Sequence, residues 1–106
     1  MAENKPAELK PVEVPSDEIF WQVTDKFIVF ANELATSNEL GVVNSGFLFA
    51  AARFNTFLVA SQCGDKATFE TEKDAAIEYF VNQFKISLTE HMADYQAKYD
   101  TYMKGA

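Results

Sequence analysis

Gly46-Phe47-Leu48-Phe49-Ala50-Ala51-Ala52-Arg53-Phe54-Asn55-Thr56-Phe57-Leu58-Val59-Ala60 is the stretch that decides how this chain folds. At about 100° per residue, Phe47, Ala50, Ala51, Phe54, Phe57 and Leu58 share one face, which reads as a core stripe. The opposite face mixes Leu48, Phe49, Ala52 and Val59 with Ser45, Arg53, Asn55 and Thr56. A helix that is apolar nearly all round is covered on both sides. The stretch is therefore expected to be the central helix of a bundle. Its three consecutive alanines let neighbouring backbones come close. Each large side chain it buries is worth roughly 1.5–3 kcal/mol.

On the N-terminal side the pattern predicts a helix from Asp17 to Thr36. Ser16 is the expected cap, and Asp17 and Glu18 suit the positive end of the helix dipole. Ile19, Phe20, Val23, Phe27, Phe30, Ala31 and Leu34 form its broad apolar face. Trp21 and Ile28 make a second ridge, which either widens the core contact, lies on the tail, or docks a partner. Ser37–Gly41 reads as a turn short enough to make the first two helices antiparallel neighbours. The central helix is expected to start between Val42 and Ser45, capped by Asn44 or Ser45, and to stop at Gly64.

On the C-terminal side Asp65, Thr68 and Thr71 all have capping chemistry, with a start at Thr68 or a few residues later favoured. Apolar and aromatic residues then recur in threes and fours from Phe69 through Ala76, Phe80, Phe84 and Leu88 to Met92, Tyr95, Tyr99 and Tyr102. A helix reaching Met103 would be about 50 Å long and would overhang its neighbours. A continuous helix is favoured, and Ser87-Leu88-Thr89-Glu90, which resembles a capping box, is where the alternative, a kinked or broken helix, would break. If the helix overhangs, Met92, Tyr95, Tyr99 and Tyr102 need cover from the tail or from another chain.

All three prolines fall within the first 15 residues, where Lys, Glu and Pro dominate. Residues 1–15 are thus expected to be a disordered tail, with Leu9, Val12 and Val14 as its only docking-competent side chains. Residues 16–106 read as a single domain. The expected fold is all-α: an antiparallel three-helix bundle with a long C-terminal helix.

The net charge of −7 argues against nucleic-acid binding and against attachment to anionic lipid. No apolar run approaches the ~20 residues of a membrane span, and no secretory leader is evident. The single cysteine, Cys63, forms no internal disulfide and fits a reducing compartment. A cytoplasmic protein without membrane attachment is expected. One histidine, His91, makes no multi-histidine metal site, and there is neither a phosphate-binding glycine loop nor a nucleophile elbow. No metal, cofactor or catalytic residue is expected. Cys63, at the C-terminal end of the central helix, reads as a small apolar filler.

Arg53 is the only arginine, and it lies within the apolar stretch. Its guanidinium must reach water, pair with a carboxylate, or hold an anionic ligand. With antiparallel helices, Asn32 and Glu33 are expected to come within reach of Arg53 and Asn55. Glu33 is the favoured partner, and Asp25 and Glu78 compete for it. Such a cluster either fixes helix register or forms a small ligand or docking site.

The segments Phe27-Ile28 with Ala31-Asn32-Glu33, then Phe47-x-Phe49-Ala50-Ala51-Ala52-Arg53-Phe54-Asn55-x-Phe57, then Tyr79-Phe80-Val81-x-Gln83-Phe84 resemble a family of small proteobacterial proteins known as a domain of unknown function. The likeness runs over roughly residues 19 to 100. It implies a bacterial, cytoplasmic, helical protein and brings no catalytic residues with it. The residues themselves point to a non-enzymatic protein-interaction module that associates with itself or with another protein. Its surface would be Trp21, Ile28, Met92, Tyr95, Tyr99 and Tyr102. The alternative is a binder of small anions, or a minor enzyme, built on Asn32, Glu33, Arg53 and Asn55.

Overall fold

The structure, a computed structural model, describes residues 17–104. The expected tail over residues 1–15 and the Ser16 cap lie outside them. The architecture is all-α. Helix α1 spans Asp17–Ala35, α2 Leu40–Cys63, α3 Lys66–Ala97 and the short α4 Tyr99–Met103. Helix α2 is central: α1 and α3 both pack on it.

The turns follow from local chemistry. At the end of α1 the Thr36 hydroxyl donates to the Glu33 carbonyl at 2.7 Å, and the Asn38 side-chain amide donates to that of Leu34 at 2.8 Å. These bonds satisfy carbonyls that the helix end leaves without partners. Helix α2 begins at Leu40, earlier than expected. Glu39 precedes it with extended backbone and no side-chain cap, so Asn44 and Ser45 are interior residues. Gly64 ends α2 at φ 88°, a backbone conformation that glycine adopts without a side-chain clash. Asp65 then caps α3, its Oδ1 accepting from the Thr68 N–H at 2.7 Å. The third helix therefore starts ahead of Thr68.

Asp65 has its carboxyl held below the ordinary carboxylate range, chiefly by the backbone hydrogen bond from Thr68. The sign of the linkage follows. The cap stabilises fully above the unfolded carboxylate value of about 3.9 and is lost as pH falls through the lower folded value. Melting curves recorded stepwise from neutral to strongly acidic pH are expected to show Asp65→Ala less stable than wild type at neutrality. The two should converge in acid. A gap that stays constant at all pH values would assign the stabilisation to something other than the cap.

Helix α3 passes through Ser87–Glu90 without a break, because the Thr89 hydroxyl donates to the Lys85 carbonyl and behaves as an interior residue. The interruption falls at Lys98 instead, with φ −126° and ψ 32°. It lets Tyr102 fold back. The Tyr102 hydroxyl donates to Asp94 Oδ2 at 2.6 Å, its ring lies 4.6 Å from that of Tyr95, and Lys98 pairs with Asp94 at 3.5 Å. The Tyr102 hydrogen bond, more than the Lys98 and His91 charges, holds the Asp94 carboxyl low, and the same bond raises the Tyr102 phenol.

Ring and core contacts give the register. Phe27 on α1 meets Phe47 on α2 with centroids 6.5 Å apart. Val59 and Cys63 on α2 pack with Ala76 on α3, flanked by Phe69 and Phe80. Both pairings are those of antiparallel neighbours. The α1–α2 contact thus involves the first half of α2, and the α2–α3 contact the second half.

Candidate interaction surface

Among the described residues the buried apolar side chains are Val59, Cys63 and Ala76. Eight of the ten phenylalanines are exposed; only Phe69 and Phe80 pack against that small cluster. The radius of gyration is 16.5 Å, against about 13 Å for a compact chain of this length. The helices form correctly, yet most of the apolar surface they were expected to bury stays open.

The distribution corrects the expectation for α2. The face that packs on α3 is the mixed one, carrying Ala52, Asn55, Thr56 and Val59 beside a groove of about 380 Å³. The supposed core stripe is largely open: Phe47, which meets Phe27, is 40% exposed, Phe54 65% and Phe57 63%. Small residues explain the exchange. Ala52, Val59 and Cys63 let α3 approach closely, with Ala76 facing them. The broad face of α1 is open too, Ile19, Val23, Phe27 and Phe30 all being exposed. So is the second half of the α3 stripe, with Phe84, Leu88 and Met92 exposed.

All six residues named for an interaction surface are exposed: Trp21, Ile28, Met92, Tyr95, Tyr99 and Tyr102. Trp21 stacks edge-on against Phe20 at 4.9 Å, and Tyr95 against Tyr102 as described. What the sequence did not single out is the Phe54–Phe57 pair, whose rings lie 6.0 Å apart on the open face of α2.

The expected polar cluster is split. Among the described residues the ion pairs are Lys66–Glu70, Lys73–Asp74 and Lys98–Asp94, so the Glu33–Arg53 pair is not made, nor is a pair to Asp25 or Glu78. Register is the reason. With Phe27 opposite Phe47, Glu33 is level with Gly41 and Arg53 with Trp21. The two side chains stand about 18 Å apart along the helix axis. Asn32 and Glu33 stay together on α1, and Arg53 and Asn55 on α2. Asn55 is half-buried beside the α3 groove, and the other three are exposed.

Burial raises the Cys63 thiol above its ordinary value, and the Glu72 and Asp65 charges add to the effect. A thiol so placed is a poor nucleophile. Among the described residues no group of three His, Cys, Asp or Glu side chains is placed to hold a metal ion. Helix α2 is, by length and composition, apolar enough to cross a membrane, with a mean hydropathy of 1.3 over its best window. The expectation concerned an unbroken apolar run, and this helix meets the criterion on its average instead. Asn44, Ser45, Arg53, Asn55 and Thr56 interrupt the apolar runs but do not lower the average enough.

A family model described as a protein of unknown function (DUF3144) matches residues 20–96. The match takes in nearly all of α1 and α3 and the whole of α2, and leaves α4 outside. No curated protein and no solved structure matches the chain.

Proposed function

We propose that this chain, which belongs to the DUF3144 family, is a non-enzymatic interaction module whose working form is an assembly of copies of itself. The observation that carries the reading is the apolar surface the helices leave exposed: among the described residues Phe27, Phe30, Phe49, Phe54, Phe57 and Phe84 are each more than half exposed. Soluble monomers rarely leave contiguous apolar patches beyond a few hundred Å². Obligate dimers bury about 2,000–5,000 Å² in total, or half of that per partner. Apolar faces of this extent are what an obligate interface closes. Among the described residues three buried apolar side chains form too small a core to offset the conformational entropy of so much ordered helix. Association supplies the missing burial.

Light scattering across a wide concentration range tests the reading. The expected result is a mass of two chains or more, persisting to low concentration. Salt is expected to tighten the assembly, since each chain carries −7 and like charges are screened. A folded chain with the mass of one copy at every concentration would overturn the reading.

A further inference from the structure

Of the open surfaces, that of α2 is the one that a second copy approaches against the least charge. Leu40–Cys63 contains no Asp or Glu, and Arg53 is its sole charged side chain. The other helices carry carboxylates, from Asp17 and Glu18 on α1 to Asp100 on α4. Two chains of charge −7 repel one another, so the surfaces that close together are those without carboxylates. One side of α2 is occupied by the Val59–Cys63–Ala76 contact, and the start of the other side by Phe47 against Phe27. Ala50, Phe54 and Phe57 remain, spaced i, i+4 and i+7 on one face. Ala50 offers a place for a second backbone to come close, and the two rings offer area.

We propose that this face of α2 receives the same face of a second copy, with the two α2 helices packed antiparallel about a two-fold axis. The proposal rests on the assembly reading above and adds the surface that mediates it. A two-fold contact uses one patch twice and closes on itself. Packed helix axes lie about 8–10 Å apart. Arg53, at the edge of the face, then comes near its own counterpart across the axis and points to solvent.

The test is a distance and a mass on the full chain. In a Cys63→Ala background, Arg53→Cys carries a nitroxide spin label, and pulsed dipolar spectroscopy reads the separation between the two copies. A separation under about 25 Å, the width of two packed helices, is expected. Phe54→Ser with Phe57→Ser is expected to shift the mass toward a single chain, whereas Tyr95→Ser with Tyr99→Ser leaves it unchanged. If the double phenylalanine variant fails to fold, the distance on the intact protein decides. An assembled wild type with a longer separation would overturn this face and leave the assembly reading standing. A monomeric wild type would overturn both. A label shielded from aqueous relaxation agents only when phosphatidylglycerol vesicles are added would assign the face to lipid and overturn the proposal.

Discussion

Ala76→Asp is expected to separate α2 from α3 and to cost about 3–5 kcal/mol, the scale for an uncompensated buried charge. Ala76 is 3% exposed and packs with Val59 and Cys63, with Phe69 and Phe80 around them. A carboxylate there would lose much of its hydration among Val59, Cys63, Phe69 and Phe80. Lys73 lines the same groove, and its Nζ already lies 3.3 Å from Asp74 Oδ1. The neighbouring substitution Ala75→Asp is the control. Residue 75 is exposed on the same helix, so the change in helix propensity is equal and the change in burial is not. Surface substitutions of that kind stay within about 0.5 kcal/mol. Urea denaturation of the two variants side by side reads the difference. Similar losses in both would mean that the α2–α3 contact contributes little to stability.

Much of the fold was legible in the residues. The helical periods placed α1, α2 and α3, Gly64 ended α2 and Asp65 was among the caps considered for α3. The differences share a cause. A helix start does not require a side-chain cap, and Glu39 precedes α2 without one. The capping-box pattern at Ser87–Glu90 makes no break either, as the favoured continuous helix requires: inside a long helix a threonine hydroxyl bonds back to its own helix, as Thr89 does to Lys85. Capping chemistry permits a terminus; it does not demand one.

The candidate site was less legible, because a stripe states that a face is apolar without stating what covers it. Phe54 and Phe57 have the spacing of a core, and in one chain they face no neighbour that buries them. The mixed face of α2 looked less suited to burial, yet its small side chains admit α3 more closely. The polar cluster failed on arithmetic that the sequence already contained. A turn centred near residues 37 and 38 sets Glu33 opposite Gly41, far from Arg53. Adjacency of helices is not adjacency of residues, and the register decides which polar groups meet.

Tenfold dilution is expected to lower the melting temperature by about 3–6 °C. Each decade of concentration contributes about 1.4 kcal/mol to a two-chain assembly. A cooperative unit of 150–250 residues shifts by about 2–4 °C per kcal/mol. Two copies of the described helices fall in that range of size. The effect is a matter of mass action: the folded dimer and two unfolded chains differ in particle number, so dilution favours the unfolded side. The measurement is helicity at increasing temperature across three decades of concentration. Phe54→Ser combined with Phe57→Ser is expected to abolish the slope, either by leaving a weakly folded single chain or by leaving little cooperative transition. A wild-type melting temperature independent of concentration would mean that one chain closes its own apolar faces. The open Phe54–Phe57 surface would then be covered from within, and self-assembly would no longer account for it.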